Sequence, residues 1–244
     1  MNLNTAKVII LFLCSIVAIS SKATTWGGTQ VNDPIKEGET CDVYQPASYG
    51  SYIYHWSSKY DQVFWPLTDE HGIWFCNKSG FTAFIGDFEG ISENEKYDIT
   101  KYLQKNYKGK GDIESKLVLI EGIYSLRNTD HSFKNKLLRV LSRWYQNLGQ
   151  IEKANDYRRK AFVDIKVKLR TKLPEGQKLE YLYLAANYSR LFGEIDESDK
   201  YIKQLITATK NLEDKKLKGF SEYLTKLANE TKYIQPGGRL HPEK

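Results

Sequence analysis

The chain has 244 residues but only three cysteines and four histidines, and no two cysteines stand as a C-x-x-C pair. That excludes a complete zinc ribbon, which draws four soft or borderline ligands from two such pairs, and it excludes a dithiol redox motif. Also missing are a G-x-S-x-G nucleophile turn, a glycine-rich phosphate loop and an H-x-x-x-H or H-x-x-E ligand pattern, so the common sequence routes to catalysis are closed. Positive charge is not concentrated. The 36 Lys and Arg are balanced by 30 Asp and Glu and are spread along helical stretches opposite glutamates, which reads as a solvated surface and gives no expectation of nucleic-acid binding. The longest apolar run, Val8 to Ser20, has 13 residues. As a helix it would reach roughly 20 Å against a hydrocarbon core of roughly 30 Å, so no permanent membrane span is expected in the mature form.

What that run does fit is a secretory leader. Lys7 precedes it, and Ser21-Lys22-Ala23 follows with small residues at its first and third positions, which places cleavage near Ala23. Cys14 follows the bulky Leu13, where a lipidation site would need a small residue. Removing 1–23 takes Lys7 and Lys22 with it and leaves about +4 of the formal +6 charge. It also leaves two cysteines, Cys41 and Cys76, in a chain expected outside the reducing cytoplasm, periplasmic or extracellular, where two thiols are expected to pair.

Two composition regimes follow the leader. Residues 24–91 hold four of the five tryptophans and are rich in Gly, Ser and Asp; the short apolar runs Tyr52–Tyr54, Val63–Trp65 and Ile73–Phe75 predict strands between turns. From Ser92 the pattern becomes helical. Helices are expected over Ser92–Tyr107, Ile113–Leu126 and Asp214–Glu230, with Thr129 or Asp130 capping a further helix at His131. An internal echo fixes the architecture between them. Leu148-Gly-Gln-Ile-Glu152 recurs 44 residues later as Phe192-Gly-Glu-Ile-Asp196, and Leu138, Trp144, Ala154 and Tyr157 are matched by Leu182, Tyr188, Ser198 and Tyr201. Glycine allows a tight turn after one helix, and the small residue five positions on lets the next approach closely. The product is a repeated helical hairpin resembling the tetratricopeptide repeat, with the extra length placed at Lys172–Gly176. The reading is 1–23 leader, 24–91 head, 92–232 helical repeat domain and 233–244 flexible tail: a mostly α protein with a small β or irregular N-terminal module.

Cys41-Asp-Val-Tyr44 and Cys76-Asn-Lys-Ser79 share a shape, a cysteine with Tyr44 or Ser79 where a ribbon would set its second ligand. The run Cys76-x-x-Ser-Gly-Phe-Thr-Ala-Phe84, with Asp87-Phe88 behind it, resembles the C-x-x-C-G-Y-A and D-F segments of a bacterial domain-of-unknown-function family. Its members join a C-P-x-C … C-x-x-C-G-Y-A ribbon-like head to tetratricopeptide-like helices, and Ser142–Ala154 and Tyr183–Gly193 are similar to its two repeat helices. The resemblance implies a degenerate, exported member in which a Cys41–Cys76 disulfide has replaced the metal.

Three functional readings follow. The preferred one is an exported protein- or peptide-binding module with no catalysis and no cofactor, its partner surface drawn from Tyr52, Tyr54, Trp144, Tyr145, Tyr188 and Arg190. The second is an envelope enzyme using His55, Asp69, Glu70 and His71 of the head, although adjacent residues of a polar turn normally diverge. The third is a residual metal site joining Cys41 and Cys76 to a histidine. The other aromatics of the head, Tyr49, Trp56, Tyr60, Phe64 and Trp65, are read first as its core.

Overall fold

A computed structural model describes residues 25–48 and 56–242. The head begins with an antiparallel hairpin of β1 (Thr25–Asn32) and β2 (Thr40–Ser48), in which Val31 lies opposite Cys41. Side chains of a strand alternate between faces, and here Cys41 and Val43 are buried while Thr40, Asp42 and Tyr44 are not. A second, shorter hairpin pairs β3 (Ile73–Phe75) with β4 (Thr82–Phe84). The turn between them is closed by Gly80 N–H to the Cys76 carbonyl (2.7 Å) and Cys76 N–H to the Phe81 carbonyl (2.8 Å). Cys41 and Cys76 form a disulfide across the two hairpins, with their Cα atoms 5.0 Å apart.

Val63–Trp65 does not form the expected strand. It follows the 3-10 turn Ser57–Asp61 through Gln62, which has φ 50°, and Val63 N–H bonds the Ser58 carbonyl. Val63 and Trp65 are nonetheless buried, as plugs and not as members of a ladder. The run Tyr52–Tyr54 lies outside the described residues.

Among the described residues there are seven α-helices: α1 (Glu93–Asn106), α2 (Ile113–Leu126), α3 (His131–Asn147), α4 (Ile151–Lys168), α5 (Glu175–Leu191), α6 (Ile195–Lys210) and α7 (Lys218–Ala228). None is long and apolar enough to cross a membrane. Their starts follow from local chemistry. Ser92 and Glu95 form a reciprocal capping box at α1, and Asp112 and Asp130 cap α2 and α3 through side-chain oxygens, satisfying N–H groups that the first turn leaves unpaired. The Glu95 carboxyl, held by Ser92 and by Asn128 N–H, is lowered to about 2.

The 44-residue echo is visible bond by bond. After α3, Gly149 N–H reaches the Gln146 carbonyl (3.0 Å) and Gln150 N–H the Tyr145 carbonyl (2.8 Å); after α5, Gly193 reaches Arg190 (3.1 Å) and Glu194 reaches Ser189 (2.8 Å). Both glycines are left-handed, φ 78° and 82°. The small residues Ala154 and Ser198 are fully buried between the helices of each pair, and Ser198 Oγ donates to the Ala186 carbonyl. A side chain at Gly193 must adopt a conformation L residues resist, so Gly193→Ala is expected to lower stability by about 1 kcal/mol in a thermal melt. An unchanged melting temperature would show that the turn does not depend on glycine.

Two apolar clusters fill the molecule, and the first disregards the compositional boundary at residue 91. It joins Cys41, Val43, Trp74, Phe81 and Phe88 of the head to Ile99 and Leu103 of α1, Ile120 of α2, Leu141 of α3 and Tyr157 of α4. Composition changes at 91, but packing is continuous across it. The second cluster unites α4 to α7 with Ile234 and Leu240. Residues 234–242 thus do not form the flexible tail expected of 233–244. Ile234 and Leu240 are buried, Ile234 pairs with Pro242, Gly237 N–H donates to the Leu191 carbonyl and Leu240 N–H to Gln146 Oε1. Apolar residues spaced around Pro236-Gly-Gly238 let the chain fold back on the hairpins, an outcome that composition hid.

Candidate functional site

The deepest polar feature lies where the head meets the hairpins. Asp61, at the end of the 3-10 turn, is fully buried, and its carboxylate accepts from Arg143 Nε (3.1 Å), Arg158 Nε (3.0 Å) and Nη2 (2.9 Å), and the Tyr188 hydroxyl (2.9 Å). Arg143 Nη2 lies 2.8 Å from the same carboxylate. Arg139 donates to the carbonyls of Asp61 and Gln62 and pairs with Glu180 at 2.8 Å. Burial pushes the Asp61 carboxyl up, but Arg158 and Arg143 outweigh it and hold it below the usual carboxylate range. Burial, with the Asp61 charge beside it, drives the Tyr188 hydroxyl well above its ordinary value. With no solvent access, this cluster fastens α3, α4 and α5 to the head and offers nothing to a substrate.

That arrangement corrects most of the expected partner surface. Tyr188 is committed to Asp61, Tyr145 is fully buried and stacks on Tyr157 at 5.4 Å, and Trp144 is buried with Nε1 donating to the Leu67 carbonyl. Arg190 is half-buried and donates to the Lys232 carbonyl. Trp144 and Tyr188 turn toward the head and Tyr145 toward the partner helix, so none of these three rings is presented to solvent. Tyr52 and Tyr54 lie outside the described residues.

In the head, Asp69 caps the 3-10 turn Glu70–Gly72 and lies 3.1 Å from His71 Nδ1. Glu70 turns toward Lys116 instead (3.4 Å). The His71 ring is stacked on Trp26 (5.3 Å between centroids) and meets Tyr44 edge-on (4.4 Å). Tyr44, Glu70, His71 and Lys116 border a cleft of about 280 Å³, which Asp69 does not line. The structure pairs Asp69 with His71 and Glu70 with Lys116, while His55 lies outside the described residues. Tyr44 is half-exposed and Ser79 Oγ accepts the Phe81 N–H, so the two positions that lack ribbon cysteines have other employment.

A more voluminous concavity lies elsewhere, a groove of about 650 Å³ between α5 and α6 under the α4–α5 connection. Its floor is apolar, from Leu173, Leu179, Leu182 and Ala208, and its rim carries Lys178, Lys200 and Lys203. The rim carboxylate Glu175 is already engaged, accepting N–H groups of Glu213 (3.1 Å) and Asp214 (2.9 Å), bonds that hold it below its ordinary pKa. Lys200 meets Glu197 at 3.4 Å; Lys178 and Lys203 make no ion pair among the described residues. Neither this groove nor the Asp61 cluster was expected from sequence. The paired arginines at 139 and 143, one helical turn apart amid leucines and Trp144, were a legible sign that an acid had to reach that face.

The fold and these sites define a protein of antiparallel helical hairpins bearing a small disulfide-linked β head. The chain belongs to the bacterial family described as Uncharacterized protein conserved in bacteria (DUF2225), whose model matches residues 51–222. That span holds Asp61, its three arginines and every residue that lines the groove, while Cys41 precedes it. No curated protein and no solved structure matches the chain.

Proposed function

We propose that the protein is an exported binding module whose α5–α6 groove receives a helical peptide segment of a protein partner, apolar on one face and acidic at its flanks. The supporting observation is the groove's chemistry, a leucine floor beneath a lysine rim whose one carboxylate is tied back to the backbone. Leucine-like side chains laid on the floor lose water, and flanking carboxylates meet ammonium groups, the helix-in-groove mode of recognition. Packed helices supply the surface preformed, so little ordering opposes association. Export rests on the apolar leader and agrees with a buried crosslink of the kind that persists in oxidising compartments.

Fluorescence anisotropy with labelled amphipathic peptides tests this. Acidic-flanked peptides are expected to bind, more weakly as salt rises, and the double reversal Lys200→Glu, Lys203→Glu to weaken them about tenfold or more. Both lysines are exposed, so the melting temperature should hold. Equal binding of acidic and basic peptides, or an unaffected charge-reversal variant, would remove the reading.

A further inference from the structure

The disulfide has a third neighbour. Asp33, only 6 % exposed, places a carboxylate oxygen within 4.8 Å of the sulfurs of both Cys41 and Cys76. It follows β1 directly and is held from two sides. Its N–H donates to the Glu39 carbonyl (2.9 Å), and its Oδ1 accepts from Ile35 N–H (2.9 Å) and Lys36 N–H (3.2 Å). Its Oδ2 is buried and has no hydrogen-bond partner among the described residues. A buried carboxylate oxygen without a donor is costly, and chains seldom keep one unless something else satisfies it. With the crosslink formed that oxygen has no donor; beside two thiolates, the group that would satisfy it is a cation.

We propose that, with the Cys41–Cys76 bond reduced, Cys41, Cys76 and Asp33 form a site for a zinc-class divalent cation, so that crosslink and ion are alternative occupants of one place. A dithiol reductant transfers two electrons and two protons to the disulfide; the S–S bond breaks, two cysteine thiols form, and the reductant becomes a disulfide. The cation then displaces both thiol protons into solvent and takes two thiolates and one carboxylate, with water able to complete a tetrahedron. Two soft donors beside one hard donor favour zinc or cobalt over magnesium or calcium. The N–H groups of Ile35 and Lys36 on Oδ1 orient the carboxylate, as outer-shell donors do at metal sites. This site needs no histidine and no help from Tyr44 or Ser79, and it is independent of the peptide groove.

The test is a Co²⁺ titration of the full chain, reduced anaerobically and cleared of reductant. The reduced protein is expected to bind one equivalent with a thiolate-to-cobalt charge-transfer band that Zn²⁺ abolishes; the oxidised protein should show none. Asp33→Asn keeps an Oδ1 acceptor for the turn and should weaken Co²⁺ by about tenfold to a hundredfold, its folding checked by circular dichroism in the oxidised form. X-ray absorption at the zinc edge of the reduced wild type reads the ligands without any substitution, and two sulfurs with oxygen neighbours are expected. Absence of the band on reduction, an Asp33→Asn variant binding as tightly as wild type, or an all-sulfur shell would each overturn the proposal.

Discussion

Asp61→Asn is expected to lower the unfolding free energy by about 3–5 kcal/mol, the range in which breaking one side of a buried ion pair falls. Asparagine keeps the size and one acceptor oxygen, but the charge is lost and an amide N–H is set against donors that the second carboxylate oxygen had accepted. Arg143 and Arg158, both fully buried, would be left facing each other with no counter-ion. Burial already pulls the Arg143 pKa down, and Asp61 is the charge that opposes this. Urea denaturation of wild type and variant measures the difference, with Asp199→Asn on the exposed face of α6 as a control that should stay within about 0.5 kcal/mol. The same carboxyl sets a pH signature. Its folded pKa lies below the ordinary 3.8, so its contribution is complete above that value and is lost as pH falls beneath it. The variant should lack that acid-side loss. A cost below about 1 kcal/mol would mean that water or another group neutralises the arginines.

Reducing the disulfide is the second large effect. Cys41 and Cys76 are 35 residues apart in sequence, and closing a loop of that length restricts the unfolded chain by about 4 kcal/mol in the entropy model. Both sulfurs sit in the first apolar cluster with Trp74 and Phe81, so the crosslink joins the two hairpins inside the packing they share with the helices. Urea midpoints of the oxidised and reduced wild type, compared in the absence of metal, should differ accordingly. Equal midpoints would show that residual structure in the unfolded chain already holds this loop closed.

Much of the helical part is legible from local signals. Ser92 with Glu95, Asp112 and Asp130 announce helix starts through chemistry confined to one turn, and Gly149 and Gly193 announce the hairpin turns through a backbone conformation that few other residues accept. The cysteine pair is legible because only two thiols lie beyond the segment expected to be a leader. Val63–Trp65 reads as a strand because an apolar triplet looks the same whether it joins a ladder or plugs a core. Trp144, Tyr145 and Tyr188 read from sequence as partner contacts because an aromatic residue on a helix carries no mark of which face its neighbours cover. The tail misled for the converse reason: Pro, Gly and charge suggest mobility, and two apolar residues suffice to dock it.

The amino-acid order by itself determined the helices, their turns, the repeat of 44 residues and the presence of one cysteine pair, since each depends on interactions within a few residues or on simple counting. Tertiary structure alone decided that Asp61 meets three arginines, that a leucine and lysine groove opens between α5 and α6, and that Asp33 stands beside the disulfide. Those groups lie far apart along the chain, and no local energy term relates them. They meet because burying the apolar faces of head and hairpins in continuous packing leaves each polar group only one neighbourhood to occupy.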